Sequence, residues 1–206
     1  MDYLIIAILG YLIGSIPNGL ILGKKLYNVD LRHFGSKNIG ATNAFRTLGL
    51  WPAIWVFLAD AVKGVIAVYL SNYVLDTSIA LLVGGITVIA GHNWSIFLKF
   101  TGGRGVATGL GVIAVLVPKI TIIVFLVWAV IVYITRYVSL ASIVAAVLVP
   151  IFMWLMGERP EFLYFGIIVA LFVIVRHKPN IERLLHGQEL KIKLGKIATD
   201  PNREKK

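Results

Sequence analysis

Val106-Ala107-Thr108-Gly109-Leu110-Gly111-Val112-Ile113-Ala114-Val115-Leu116-Val117 is the shortest apolar run in this chain, and whether it crosses a bilayer decides the topology of everything after it. A helix over these residues reaches only about 18–20 Å, and a hydrocarbon core takes about 20 residues to cross. Six longer apolar runs surround it, at roughly 3–22, 51–75, 77–98, 119–135, 139–156 and 161–176. If all seven cross, the N-terminus lies outside and the C-terminus inside. The inside segments then hold Lys24, Lys25, Arg32, Lys37, Arg46, Lys99, Arg104, Arg136, Arg176, Lys178, Arg183 and the tail. Only Lys119 and Arg159 fall outside, and Arg159 has Glu158 and Glu161 beside it. If 106–117 stays out of the bilayer, Arg136 and the basic tail move outside. Lys and Arg concentrate in cytoplasmic loops, so the charge pattern favours seven spans with a short fourth. Pro118 interrupts any single helix over 106–135.

Composition agrees with a lipid-solvated, all-α chain. Of 206 residues, 58% are hydrophobic and 15% charged, against about 25% charged in a soluble domain. The mean hydropathy is +0.86. There are no cysteines, which excludes disulfides, thiolate catalysis and cysteine metal sites. The net charge of +10 does not point to nucleic acid, because the basic residues sit in loops between apolar runs and in the tail. Residues 3–22 lack a basic leader and a small-residue cleavage site, and read as a retained first span. The chain divides into a membrane unit over 1–182 and a basic tail over 183–206. The tail is expected to start as a short helix, with Ile181, Leu184 and Leu185 on one face, and to be disordered after about Gly195. No internal repeat is evident.

A short fourth span needs thinned bilayer, tilted neighbours or entry from a buried loop. Irregular backbone at membrane depth is tolerated where it lines a wet cavity, so the loop 99–105 is an expected cavity wall. It contains Gly102-Gly103-Arg104-Gly105 just before the helix: glycine backbone, a cation and a helix N-terminus, which together suit an anion. It lacks the Lys-Ser/Thr ending of a nucleotide P-loop. A second such segment is Gly35-Ser36-Lys37-Asn38-Ile39-Gly40-Ala41-Thr42-Asn43-Ala44-Phe45-Arg46. Ser36, Asn38, Thr42 and Asn43 supply neutral hydrogen-bonding groups, Gly40 a close-approach backbone and Arg46 charge, a mixture that suits phosphate. The third polar segment is Arg176-His177-Lys178-Pro179-Asn180-Ile181-Glu182-Arg183. All three fall on the same expected cytoplasmic side.

At membrane depth, Asp60 and Lys63 lie three residues apart on one helix face and read as an ion pair. His92 reads as an inter-helix hydrogen bond before a general base. Ser139 and Ser142 open the sixth span, as helix-start caps or ligand donors, and Asn18 after Pro17 marks a kink in the first. The histidines are scattered and no carboxylates have ligand spacing, so neither a metal nor another cofactor is expected.

Together these segments resemble the acyl-phosphate:glycerol-3-phosphate acyltransferase (PlsY) family of bacterial inner membranes, over about residues 3–190. The first motif is Gly35-Ser36-x-Asn38-x-Gly40-Ala41-Thr42-Asn43-x-x-Arg46, and the second is Gly102-Gly103-Arg104-Gly105-Val106-Ala107-Thr108. The third is Arg176-His177-x-x-Asn180-Ile181-x-Arg183-Leu184 with Gly187 and Glu189. Three positions depart from the family pattern: Arg104 stands where lysine is more common, Thr101 where a basic residue is, and Ser95 where proline is.

The resemblance implies transfer of a fatty acyl group from acyl phosphate to the 1-hydroxyl of sn-glycerol 3-phosphate. The products are lysophosphatidic acid and inorganic phosphate, with neither coenzyme A nor acyl carrier protein as direct donor. For that reaction Asn180, His177 and Ser36 are the expected catalytic residues. Ser36, Asn38, Gly40, Thr42, Asn43, Arg46, Gly102, Gly103, Arg104, Gly105, Ser139 and Ser142 are the expected substrate contacts. The rival from another class is a small phosphate-ester or anion transporter, which would show a repeat and a midplane site.

Overall fold

The computed structural model describes residues 1–192, so the disorder expected after about Gly195 lies outside the described residues. Among those residues the backbone is helical, with one isolated bridge between Ser95 and Thr101. The helices are α1 (Asp2–Ser15), α2 (Asn18–Tyr27), α3 (Ala41–Leu48), α4 (Leu50–Val74), α5 (Ser78–Asn93), α6 (Val106–Leu116), α7 (Pro118–Thr135), α8 (Val138–Leu155), α9 (Pro160–Arg176) and α10 (Lys178–Leu185).

Four helical segments are long and apolar enough to cross a membrane alone: α1 with α2, α4, α7 and α8. A fifth is α9 joined to α10 across a 60° bend. Helices α5, with 16 residues, and α6, with 11, are shorter. The expected third run is shorter than its apolar sequence because α5 stops at Asn93. Beyond it the chain folds into a turn, in which Phe100 N–H donates to Ser95 O at 2.8 Å. Trp55, Tyr69, Tyr133, Ile134 and Leu171 point outward and are well exposed. Such a surface suits acyl chains, and the protein is a multi-pass, all-helical membrane protein.

The kink expected in the first span separates α1 from α2 at Ile16 and Pro17. A break at membrane depth frees carbonyls that need donors. Ser95 Oγ donates to Ser15 O at 2.6 Å, and Lys63 Nζ donates to Ile16 O at 3.1 Å. Lys63 also pairs with Asp60 at 3.0 Å, as the spacing predicts, and Asn18 Nδ2 reaches the same carboxylate oxygen at 3.1 Å.

Small residues let the helices approach closely, as they do where lipid supplies no hydrophobic drive. On α1, Gly14 lies against the backbone of Val88 of α5, with no room for a Cβ. Gly111 of α6 lies in the same way against Ala61 of α4. These contacts hold the short α6 inside the bundle. There Val112 and Ile113 join Val68, Val88, Ile89, Ile120 and Phe165 in the core.

Candidate active site

The first polar loop is framed by one buried amide. Asn43 Oδ1 accepts from Ser36 N–H at 2.8 Å. Its Nδ2 donates to the carbonyls of Leu31 (3.0 Å), Phe34 (3.0 Å) and Asn38 (2.7 Å). Nδ2 has two N–H bonds to share among three carbonyls, so Asn43 shapes the loop and has no donor left for a ligand. Gly35 turns the chain at φ +56°, where a Cβ would collide with Asn43 Oδ1. Asn38 Oδ1 accepts from Gly40 N–H at 2.9 Å, and α3 starts there without a side-chain cap. Arg46, in the last turn of α3, donates to Leu190 O at 2.8 Å, and its Nε is buried without a partner.

The glycine loop is held from behind. Arg176 donates from Nε to Gly103 O at 3.0 Å and from Nη2 to Gly102 O at 2.9 Å. Gly103 N–H donates to His92 O at 2.9 Å. Gly102 lies so close to the backbone of His92 and Asn93 that no side chain fits. Arg104 follows, and among the described residues its guanidinium has neither a hydrogen-bond nor an ion-pair partner. Gly105, at φ +76°, starts α6, again without a side-chain cap.

The third segment closes the site. His177 Nδ1 lies 2.8 Å from Val173 O. A carbonyl only accepts, so Nδ1 carries the proton and Nε2 presents a lone pair. Chain beyond α10 folds back, with Ile192 N–H donating to Arg136 O at 2.9 Å, and brings Glu189 inside. Glu189 accepts from Asn180 Nδ2 (2.7 Å), Ser139 Oγ (2.9 Å) and Arg183 Nε (2.7 Å). Burial alone raises its pKa, but these hydrogen bonds outweigh burial and hold it below the ordinary glutamate value. A lowered carboxylate stabilises fully above the ordinary pKa and loses that contribution as pH falls through the lowered one. Glu189→Ala is expected to cost about 3 kcal/mol of stability at neutral pH. Thermal unfolding in detergent measures this, and the deficit should shrink in acid.

A cavity of about 250 Å³ lies where the three segments meet. Ser36, Asn38, Gly40, Thr42, Asn43, Arg46, Arg104, Gly105, Ser139, Ser142 and His177 all border it. Gly102, Gly103 and Asn180 adjoin this wall, Asn180 through its hydrogen bond to Glu189. Asn180 Oδ1 is buried without a partner. The carboxylates at the cavity are each answered: Glu189 by Arg183 and Asp60 by Lys63. Among the described residues Arg46 and Arg104 have no such carboxylate and leave the cavity electropositive, with the N-termini of α3 and α6 adding to it. Burial pushes Arg104 down to about 10, which leaves it charged at neutral pH. Burial also lowers Arg46, with Glu189 opposing and Arg183 adding to the shift.

The cavity continues into an apolar crevice of about 90 Å³ between α6, α7, α8 and α9, lined by Gly109, Ile113, Phe125, Val149 and Val169. Phe57, Gly105, Val106, Trp128 and Ser142 border both spaces. The geometry thus offers an anion site beside a slot for hydrocarbon. Sequence reasoning assigned no site role to Phe57, Trp128 or Asp60, and named Glu189 only as a motif letter. Phe57 and Trp128 carry no local signal and reach the cavity through the fold, while the charge of Asp60 at membrane depth was a signal that the ion-pair reading absorbed.

A family model described as glycerol-3-phosphate acyltransferase matches residues 4–187. A glycerol-3-phosphate acyltransferase of Desulforamulus reducens is 46% identical over 182 residues, covering 88% of this chain and 91% of that protein. One from Fusobacterium nucleatum is 43% identical over 193 residues, covering 94% and 100%. A crystal structure of PlsY (YgiH), an integral membrane glycerol 3-phosphate acyltransferase in its glycerol 3-phosphate form, superposes with a TM-score of 0.89 at 39% identity, covering 94% of this chain and 96% of that one. The lysophosphatidic acid form gives 0.87 at 36% identity, covering 97% and 100%. On the family model, the sequence identities and the superposition together, the chain belongs to the glycerol-3-phosphate acyltransferase family of integral membrane proteins.

Proposed function

We propose that this protein moves a fatty acyl group from acyl phosphate to the 1-hydroxyl of sn-glycerol 3-phosphate. The observation that carries the reading is the pair of arginines, Arg46 and Arg104, without carboxylate partners among the described residues, in a cavity that opens onto an apolar crevice. Both substrates carry phosphate, and one carries a long chain. Glycerol 3-phosphate sits at Arg104 and the N-terminus of α6. The acyl phosphate headgroup sits against Ser36, Asn38 and the N-terminus of α3, and its chain runs past Phe57 and Trp128 into the crevice.

The acyl C–O bond to phosphate breaks as the bond to the glycerol oxygen forms, and the hydroxyl proton leaves with inorganic phosphate. Acyl phosphate is an activated anhydride, so positioning and polarisation supply most of the rate. His177 Nε2, with its lone pair free, accepts from the attacking hydroxyl and orients it. Asn180 has a second N–H besides the one given to Glu189, and this polarises the scissile carbonyl. Neither coenzyme A nor acyl carrier protein takes part directly.

The charge pattern supports seven spans, with α5 and α6 crossing as short helices. The N-terminus is then outside and the site faces the cytoplasm of a bacterial plasma membrane. A donor panel tests the reaction. Purified protein should acylate glycerol 3-phosphate from palmitoyl phosphate and not from palmitoyl coenzyme A or palmitoyl carrier protein. Activity confined to the thioesters overturns the proposal.

The crevice makes its own prediction. A Cβ on Gly109 meets only Ile89 and Val169, at 3.8 and 3.9 Å, so a larger residue fits the fold while filling the slot. Gly109→Leu should raise the KM for palmitoyl phosphate about thirtyfold, as displaced methylenes lose burial. Butyryl phosphate should be nearly unaffected, and kinetics with both donors check this.

A further inference from the structure

The charged cluster at membrane depth has no part in the reaction as drawn above. Asp60 and Lys63 of α4 and His92 of α5 are all buried. The Lys63 ammonium has three N–H bonds, and three acceptors surround it: Asp60 Oδ1 at 3.0 Å, Ile16 O at 3.1 Å and His92 Nδ1 at 2.9 Å. Because the ammonium donates to Nδ1, that nitrogen presents its lone pair and the ring proton sits on Nε2. Nε2 has no partner among the described residues. The ring borders the polar cavity, and its Nε2 lies against Gly103, the residue before Arg104.

We propose that His92 donates its Nε2–H to the phosphate held at Arg104, and that the Lys63–Asp60 pair locks the ring in this tautomer. The inference rests on the reading of the cavity as a glycerol 3-phosphate site. It assigns the two cavity histidines opposite duties. His177 is protonated on Nδ1 and offers an acceptor to a hydroxyl, while His92 offers a donor to an anion. The same geometry removes His92 as a general base. Asp60 Oδ1 lies 3.7 Å from Nδ1, so without the lysine the carboxylate would draw the proton to Nδ1 and turn Nε2 into an acceptor. Lys63 and Asp60 are therefore positioning residues, acting through the ring.

Two measurements test this. The protein has four histidines, and ¹⁵N-histidine NMR of the wild type, assigned by difference against His92→Gln, should find His92 protonated on Nε2. Addition of glycerol 3-phosphate should shift that signal. In kinetics, His92→Leu should raise the KM for glycerol 3-phosphate roughly ten- to hundredfold, the worth of one hydrogen bond to a charged group, with a smaller change in kcat. His92→Gln keeps an N–H at the reach of Nε2 and should stay within about threefold of wild type. Lys63→Met should repeat the KM defect of His92→Leu and move the proton to Nδ1.

A wild-type ring protonated on Nδ1 overturns the proposal, and does so without relying on any variant's folding. So does an unchanged KM in His92→Leu alongside a lowered melting temperature, which would make the ring a structural brace only. In both cases the wild type still transfers acyl groups and the proposed reaction stands. A wild type that neither binds nor acylates glycerol 3-phosphate overturns both.

Discussion

Asn180→Ala is expected to lower kcat by about two to three orders of magnitude, the usual consequence of losing one donor to a developing oxyanion. Binding of both substrates should change little. In the proposed complex the phosphates are held by Arg104 and by the loop around Ser36, and Asn180, hydrogen-bonded to Glu189 at the cavity, holds neither. Part of the loss could instead come through Glu189, since Asn180 Nδ2 donates to that carboxylate at 2.7 Å. Glu189 keeps Ser139 and Arg183, so the stability cost should be only about 1 kcal/mol. Melting temperature and equilibrium binding of glycerol 3-phosphate, measured beside kcat, separate the two effects. A variant with full activity removes Asn180 from the chemistry.

Arg104→Met is expected to raise the KM for glycerol 3-phosphate by about two to three orders of magnitude. Removing one partner of a buried charge pair costs about 3–4 kcal/mol, because the remaining charge is stranded in a site built for its counter-ion. Here the remaining charge is the substrate phosphate, and among the described residues Arg104 has no carboxylate partner to leave. The variant should therefore fold as well as wild type, since the guanidinium it loses has neither a hydrogen-bond nor an ion-pair partner among the described residues. Arg104→Lys keeps the charge but not the planar fork, and should lose about tenfold. A KM series with Met, Lys and Arg at this position checks the order. Equal KM in all three would move the phosphate to Arg46.

The frame was legible because bilayer crossing leaves coarse marks. Apolar runs, the proline at 118 and the loop charges located the apolar helices to within a few residues, except that α5 ends early and α2 runs on to Tyr27, while the short α3 lies in a segment that reads as a polar loop. The C-terminal end of α5 was hidden because Trp94 to Phe100 is as apolar as a span, while the hydrogen bonds that end the helix lie across the fold at Ser15 and Thr101. The kink at Pro17 was legible, but not that Lys63 satisfies the carbonyl it frees.

The site was legible as three segments on one face. Which residues face the ligand was not. Asn43 carries the same amide as Asn38, yet its four hydrogen bonds to the loop are invisible from spacing. Glu189 reads as one charge in a polar tail, and becomes the hub of three hydrogen bonds only when the chain folds back over α8. The opposite tautomers of His92 and His177 depend on a lysine ammonium and a helix carbonyl, and no local sequence pattern encodes them.

The most direct test of the whole account is product analysis in sealed proteoliposomes given palmitoyl phosphate and glycerol 3-phosphate labelled with ¹⁸O at the 1-hydroxyl. The account predicts lysophosphatidic acid that retains the label in its ester, with one inorganic phosphate released for each molecule formed. Accumulation of intact glycerol 3-phosphate inside the vesicles, with neither phosphate release nor lipid product, would contradict it and make the protein a transporter.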